Sequence, residues 1–295
     1  MFVWMITLQH SNLLTLLTYY INQTHKHTMK RSILTTVLVS GLTLLAALSA
    51  SAQQDSVKRK KFEINYGVGI TMGEKRDSTG KIDESKGRFV GGITFTRLDI
   101  GFSKLIDNGS FSLSPANEFL DYRAGKTSHV SFDVLQIGYR FNSNFKIYVA
   151  GGFDWTLIRL KDNITMTKNS PVLTYTTETP EVLYSKNRFS SSYVHLPLNF
   201  ELRSKENKKG NRFYFVAGPE IAFLINGKVK QISDEYGKVK IKDDYNFAPF
   251  RYGGAVRLGY GSAAIFAKYY ASDMFDSAPQ KGLKNMAFGI TLGLN

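Results

Sequence analysis

The 295-residue chain contains no cysteine. This absence excludes disulfide bonds, thiolate metal ligands, a cysteine nucleophile and a lipid-modified cysteine behind a signal peptide. No stretch after residue 60 approaches 18 consecutive apolar residues, so no transmembrane helix is predicted there. Acidic residues are the minority, 24 against 38 lysines and arginines, which gives a formal net charge of +14. Such a balance suits nucleic acid or an anionic membrane surface, and charge alone does not choose between them.

Residues 1–52 contain neither aspartate nor glutamate. Within them the parts of a secretory signal peptide follow Met29 in order: the basic pair Lys30-Arg31, an apolar run from Ile33 to Leu48, and the small-residue site Ala50-Ser51-Ala52. This order predicts export and cleavage between Ala52 and Gln53. A retained signal anchor is the alternative. Residues 1–28 fit no part of such a signal, and we interpret them as an over-extended N-terminus.

Beyond residue 60 the dominant pattern is alternation with period two. At the C-terminus Met286, Phe288, Ile290 and Leu292 alternate with small or polar residues, and segments 145–159, 193–203 and 250–260 repeat the pattern. Alternation of this kind predicts strands that have one apolar and one polar side. A membrane barrel provides lipid outside and a polar lumen, whereas a soluble sandwich provides a core and water.

Three features favour an all-β, antiparallel transmembrane β-barrel over a soluble β-sandwich. The candidate strands are about 10 to 16 residues long, against a usual 5 or 6 in soluble sheets. Their polar sides are rich in glycine and alanine, which suits a narrow lumen. Aromatic residues such as Phe141, Phe145 and Tyr260 stand at strand ends, where an interfacial girdle is expected.

The connections predict the topology. Short connections follow residues 141, 203 and 260, and longer polar ones occupy 105–127, 161–189, 226–248 and 273–283, which is the pattern of short periplasmic turns and long outer loops. The nine candidate strands are 62–72, 88–104, 128–141, 145–160, 190–203, 212–225, 249–260, 263–272 and 284–295. Because bacterial single-chain barrels have an even number of strands, we prefer eight strands from residue 88 onward.

The strand at 62–72 is then surplus. It either packs outside the barrel or plugs it, or else a tenth strand lies in 105–127 near Phe111 and Leu113. Shifts in the phase of alternation within 88–104 and 128–141 predict a β-bulge in each strand. The predicted organisation is an over-extended N-terminus (1–28), a signal peptide (29–52), an N-terminal extension with one extra strand (53–87) and the outer-membrane β-barrel (88–295).

Several segments resemble the small outer-membrane β-barrel proteins of Gram-negative bacteria, the PorT-like or outer membrane protein β-barrel domain group. They are Tyr193–Phe200, Phe213–Pro219, Phe250–Gly253 with Arg257–Gly261, and Phe111–Pro115 with Glu118–Leu120. The resemblance covers roughly residues 88–295. It implies an integral outer-membrane protein, and in this group some members serve protein export or act as surface proteins.

The sequence offers little catalytic chemistry. Gly73 and Gly80 have the wrong spacing for a phosphate-binding loop, and Ile82 replaces the required serine or threonine. The predicted mature chain has only two histidines, His129 and His195, and no zinc-binding spacing. We therefore predict no catalytic residue, no cofactor and no metal. His195, with three serines just upstream, is the one candidate general base of an alternative outer-membrane hydrolase.

Alternation also places charged side chains inside the barrel. The predicted lumen network is Arg140, Asp154, His195, Glu201, Arg203, Glu220, Arg251 and Arg257, with Lys268 as a further candidate. Charges in a barrel interior are costly unless they are paired. A salt-bridged core that seals the lumen is therefore the preferred interpretation. The surplus of arginine makes a narrow anion-preferring, porin-like channel the alternative.

The basic balance points to membrane partners. Lysines near the turn 204–211 can meet anionic lipid headgroups, and lysines of the loop 226–248 can meet anionic surface glycolipid. The expected partners are outer-membrane lipid, lipopolysaccharide and the barrel-assembly machinery, together with an unspecified surface or periplasmic protein. Nucleic acid is disfavoured because no base-stacking module is visible. The predicted function is a non-enzymatic integral outer-membrane barrel that presents surface loops.

Overall fold

The computed structural model describes residues 67–72, 87–207 and 211–293. For residues 67–72 and 94–96 it describes the backbone alone. The predicted over-extended N-terminus, the signal peptide with its cleavage site at Ala52 and Gln53, and the glycine-rich segment 73–80 lie outside these residues. Within the described ranges, no helix has the length and apolar content needed to cross a bilayer.

The chain folds as an antiparallel meander that closes on itself. Its strands are β1 Gly67–Met72, β2 Arg88–Asp107, β3 Ser128–Arg140, β4 Phe145–Arg159, β5 Ile164–Met166, β6 Tyr175–Thr177, β7 Lys186–Arg203, β8 Phe213–Ser233, β9 Gly237–Asp243, β10 Phe250–Tyr260, β11 Ala263–Tyr270 and β12 Leu283–Gly293. Eight of them pair in the cyclic order β2-β3-β4-β7-β8-β10-β11-β12, and β12 pairs again with β2. The prediction of an eight-stranded barrel is confirmed.

The alternation of the sequence becomes the two sides of the barrel wall. On β10, Arg251 and Arg257 are buried inside while Val256 and Leu258 are 46% and 56% exposed on the outside. On β11, Lys268 is buried and Ile265 is 63% exposed. Apolar side chains that would be buried in a soluble sheet are therefore turned outward, as lipid contact requires.

An aromatic girdle surrounds the inner end of the barrel. Phe141 and Phe145 stack across the turn between β3 and β4 at 5.3 Å, and Tyr139 packs edge-on against Phe141 at 4.9 Å. Two strands further round the barrel from β4, Phe213 and Tyr260 lie 4.7 Å apart. Amphipathic rings at this level mark the boundary between hydrocarbon and headgroups.

The surplus strand pairs at the seam of the barrel. β12 ends with Gly293 opposite Arg97, but β2 continues down to Arg88. β1 pairs with this remaining edge, with Gly67 opposite Thr94 and Met72 opposite Phe89. β1 therefore continues the line of β12 along β2. The alternative of a tenth strand near Phe111 and Leu113 is wrong, because residues 108–127 contain two 3₁₀ helices, Pro115–Leu120 and Ala124–Lys126, and no strand.

Both predicted bulges are present, and a third was not predicted. The register shifts between Ile93 and Arg97 in β2 and between Asp133 and Leu135 in β3. A further shift lies in β8, where Ile225 has no partner between the pairs Ser192–Asn226 and Tyr193–Leu224. Each bulge exchanges the inward and outward sides of its strand.

Two neighbouring strands, β7 and β8, are much longer than a bilayer crossing requires. A tilted strand needs about 9–11 residues to cross the hydrocarbon core, whereas β7 has 18 and β8 has 21. β8 continues to Ser233 and folds back as β9. The long polar connection predicted at 226–248 therefore contains a hairpin, in which lysine alternates mostly with apolar residues. We call the parts of β4, β7, β8 and β9 beyond the lipid band the outer extension.

Candidate functional site

The middle of the lumen is occupied by a group of ion pairs centred on Lys268. The Lys268 ammonium lies 2.8 Å from Asp154 Oδ2 and 2.9 Å from Glu220 Oε1. The Tyr270 hydroxyl lies 3.0 and 2.6 Å from the same two oxygens. All four side chains are buried. Because the hydroxyl has one proton, it serves one carboxylate at a time, while the ammonium donates to both.

His195 joins this group to a second one. Its Nδ1 lies 3.1 Å from Glu220 Oε1 and its Nε2 lies 3.1 Å from Asp133 Oδ1. With carboxylate oxygens facing both ring nitrogens, the ring bridges the two acids fully only when both nitrogens carry a proton. His129, the other buried histidine, has Nε2 3.6 Å from Asp154 Oδ2. The two histidines are therefore components of the ion-pair network.

The second group pairs two arginines with two aspartates. Arg257 Nη2 donates to Asp99 Oδ2 at 2.6 Å, and Thr291 Oγ1 donates to Asp99 Oδ1 at 2.7 Å. Arg97 forms an ion pair with Asp133. Burying such charges is favourable only when each is paired and its remaining hydrogen-bonding positions are used.

A third group lies nearer the inner end. The Lys146 ammonium is 3.1 Å from Glu201 Oε2, and Arg203 also pairs with Glu201. The side chain of Arg203 is 28% exposed, and Arg140 is likewise only partly buried. This group therefore forms the rim where the lumen opens towards the turns.

Arg251 differs from the other lumen cations. It is fully buried, and its three guanidinium nitrogens make no hydrogen bond within the described residues. The guanidinium carbon lies 3.8 Å from the centre of the Tyr270 ring and 4.9 Å from that of Tyr193. The tyrosine faces stabilise the cation electrostatically, since cation–π contacts are stronger when both partners are desolvated.

One cluster has the spacing of metal ligands. Asp154, His195 and Glu220 each offer an atom within 4.8 Å of the others. The ammonium of Lys268 already contacts both of these carboxylates. A fixed cation therefore stands where a metal ion would bind, and the donor set fits an ion-pair network better than a metal centre.

A cluster of buried apolar side chains packs at the outer end of the barrel, above these charged groups. Its aromatic centre is Phe189, Phe247 and Phe275, with Phe247 4.8 Å from each of the other two rings. The other buried members are Leu105, Leu120, Ile158, Leu160, Ile164, Met166, Leu173, Val229, Tyr245, Met274 and Leu283. Strand ends and all four outer connections contribute. The outer segments therefore share one hydrophobic core, which we call the outer cap.

Asp107 fixes the first outer segment to the cap. Its carboxylate accepts hydrogen bonds from the Ser114 backbone at 2.7 Å and from Asn117 Nδ2 at 3.0 Å. Burial alone would raise the pKa of Asp107, but these hydrogen bonds outweigh it and lower the pKa below its usual value. Beside the cap a cleft of about 210 Å³ is lined by residues that include Arg123, Arg159 and Lys161.

Comparison with known proteins identifies the architecture. Residues 51–272 match the family model described as outer membrane protein beta-barrel domain. The chain belongs to this family. No curated protein matches it. A similar solved structure is that of Ail, the attachment invasion locus protein of Yersinia pestis, in complex with the heparin analogue sucrose octasulfate, with 14% identity over 70% of this chain and 97% of that one and a TM-score of 0.30.

In this outer-membrane barrel the predicted site residues fall at three levels. Asp154, His195, Glu220 and Arg257 lie in the central groups, Arg251 lies beside Tyr193 and Tyr270, and Glu201, Arg203 and Arg140 lie towards the inner end. Glu220 pairs with Lys268 and His195, and Glu201 pairs with Lys146 and Arg203.

Sequence reasoning missed several members of the network. They are Arg97, Asp99, His129, Asp133 and Lys146. Arg97, Asp99 and Asp133 border the bulges of β2 and β3, where the inward side changes. The sequence does contain a signal for Asp99. Once the bulge in β2 is located, Asp99 alternates with the outward Leu98, Ile100 and Phe102 and is therefore predicted to face inward. Lys146 alternates with Phe145 and Ile147 in the same way.

Proposed function

We propose that this outer-membrane protein is a non-enzymatic, closed barrel that presents its outer loops as one fixed surface. The observation that carries the proposal is the double closure of the lumen. A layer of paired charges fills it at the level of the membrane, and the outer cap covers that layer. An eight-stranded barrel is just wide enough for side chains to fill it, which agrees with a stalk better than with a pore.

The charge balance of the lumen supports a sealed interior over an anion-preferring channel. Among the described residues of the lumen groups, five buried cations face five buried carboxylates: Arg97, Lys146, Arg251, Arg257 and Lys268 against Asp99, Asp133, Asp154, Glu201 and Glu220. A sixth buried carboxylate, Asp107, belongs to the outer cap. Apart from the histidines, the lumen set has no net charge with which to attract anions. The apparent surplus of arginine is offset by acids at the bulges.

The outer cap supports a presenting role. Leu120 comes from the first outer segment, Leu173 from the second, Phe247 from the connection between β9 and β10, and Met274 from the last. Each is buried among side chains of the others. The four connections therefore form one unit with a shared core, which suits recognition of a partner by a preorganised surface. We further propose that the protein belongs to the PorT-like group and acts in export or at the cell surface.

The surroundings of His195 weigh against a hydrolase. The ring is fully buried, and both nitrogens face carboxylates. A general base needs a free nitrogen within reach of the nucleophile. Ser190, one of the upstream serines, donates its hydroxyl proton to the carbonyl of Lys228 at 3.1 Å. His195 therefore acts as a link in the charged network.

Planar-bilayer recording of the refolded protein tests the sealed lumen. We expect no stable single-channel steps from the wild type. Lipase and protease assays test whether the protein is non-enzymatic. We expect no activity in the wild type and no change in His195→Ala. Stable conductance steps in the wild type would replace the closed stalk with the channel, and an activity lost in His195→Ala would establish the hydrolase.

A further inference from the structure

The outward side of the outer extension carries a continuous set of positive charges. Segments 157–159, 186–190, 228–232 and 238–242 contain neither aspartate nor glutamate. The eight cations on their outward side are Arg159, Lys186, Arg188, Lys228, Lys230, Lys238, Lys240 and Lys242. We call this surface the basic face.

The register of the sheet brings like charges directly opposite one another. Arg159 pairs with Arg188, Arg188 with Lys230, and Lys230 with Lys240, across four adjacent strands. Lys228 is likewise opposite Lys242. Like charges at directly opposed positions destabilise a sheet. Mutual repulsion lowers the pKa of Lys186, chiefly through Arg188, and lowers that of Lys230, chiefly through Lys186.

The protein supplies no anion to this surface within the described ranges. None of its eight cations forms an ion pair there. Among nearby acids, Asp243 accepts a hydrogen bond from the Asn169 backbone at 2.7 Å and Asp121 pairs with Lys161 at 2.7 Å, whereas Asp234 and Glu235 lie in the exposed turn that joins β8 to β9. Lysines on an exposed edge strand discourage aggregation, which accounts for the lysines of β9. That explanation does not cover Arg159, Arg188 and Lys230, which lie on interior strands.

The basic face continues the lipid-facing side of the barrel outward. Arg159 follows the outward Trp155 by four residues on β4, and Lys228 follows Phe223 by five on β8. At a rise of about 3.3 Å per residue along a tilted strand, the charges stand on the order of 10 Å above these aromatic rings. This is the level of headgroups and sugars in the outer leaflet.

We propose that the basic face binds the phosphate groups of an anionic glycolipid in the outer leaflet. The face supplies a sheet of ammonium and guanidinium groups, none of which is paired with an acid within the described residues. Its position beside the lipid band selects a phosphate that is anchored in the membrane. Binding relieves the repulsion between opposed cations, so the lipid also stabilises the outer extension.

Lipid A titration of the protein in zwitterionic detergent micelles tests the proposal. The variant is Lys230→Gln with Lys240→Gln, two directly opposed members of the basic face. The matched control is Lys126→Gln with Lys281→Gln, which removes the same charge from exposed outer positions away from the face. At roughly five-fold per lysine, the first pair should weaken binding about 25-fold. The control should bind like the wild type.

Two further measurements make the outcome decisive. Heat-modifiable gel mobility should be the same for all three proteins, since every substituted side chain points to solvent. Inorganic phosphate at the same concentration should compete poorly with lipid A. Equal affinity of the two double variants for lipid A would show that the basic face is not the binding site. Competition by inorganic phosphate as strong as that of lipid A would show that the membrane anchor of the phosphate does not matter. Either result would overturn the proposal.

Discussion

The proposed closed barrel is filled at two levels, by two different kinds of interaction. At the membrane level, buried acids and bases form ion pairs, such as that between Glu220 Oε1 and Lys268 Nζ at 2.9 Å. In the outer cap, rings such as Phe189 and Phe247 pack at 4.8 Å with no charge involved. Ion pairs need every partner in place, because a single remaining charge is costly. Apolar packing tolerates change according to volume. The two closures should therefore fail in different ways.

The largest expected effect is in the charged layer. Glu220→Ala leaves Lys268 with one carboxylate and His195 with one, at a cost of about 3–5 kcal/mol if burial is complete. Urea unfolding followed by gel mobility should show a clearly lower midpoint while insertion persists. Glu181→Ala, at an exposed loop position, is the control and should be neutral. A stable Glu220→Ala protein with altered conductance would contradict the sealed layer.

Removing a member of the outer cap should be less costly and local. Leu120→Ala empties a fully buried site and should lower stability by about 2–5 kcal/mol, depending on how far the cap collapses. We expect faster proteolysis of the outer segments and unchanged bilayer conductance, because the charged layer stays intact. Stable ion conduction in this variant would show that the cap alone seals the lumen.

The outside of the barrel offers a third contrast. Val256→Arg places a charge on the lipid-facing side of β10 and should cost about 2–4 kcal/mol near the midplane. Tyr236→Arg changes an exposed apolar residue in the turn between β8 and β9, and should cost little. Refolding yield into lipid vesicles measures both. Similar yields for the two variants would mean that the lipid band is misplaced.

The smallest expected effect depends on pH. Because the pKa of Asp107 is lowered by folding, its contribution is complete above the unfolded value of 3.8 and is lost as the pH falls towards the folded pKa. Pepsin should therefore cut the segment 108–127 faster as the pH drops from about 5 to about 2. Asp107→Asn should be cut readily across this range, with little pH dependence from this site. A wild type that resists pepsin equally across this pH range would show that Asp107 does not anchor the segment.

The sequence predicts the barrel well because each strand has only two sides. Alternation identifies the inward positions of Asp154, Glu201 and Arg257 without knowledge of their partners. Pairing is harder to predict, because it depends on the register between strands far apart in the chain. Lys268 lies 114 residues from its partner Asp154. Bulges add a second difficulty, since they hid the inward position of Asp133.

The outer cap could not be predicted from periodicity. Phe189, Phe247 and Phe275 come from three separate segments, and the apolar residues around them follow no regular period. From their composition, these connections are predicted to be polar loops. Their few apolar residues form a core only because the barrel brings its outer connections to one end.

The seam between β2 and β12 has a consequence for engineering the chain. Gly293 pairs opposite Arg97 and Gly67 opposite Thr94, so their partners are three residues apart on one strand. The two positions are thus separated by about 10 Å along a common line. A short linker from Gly293 to Gly67 would preserve every rung of the ladder. New termini could then be opened in a different connection, which would give a circular permutant with the same barrel.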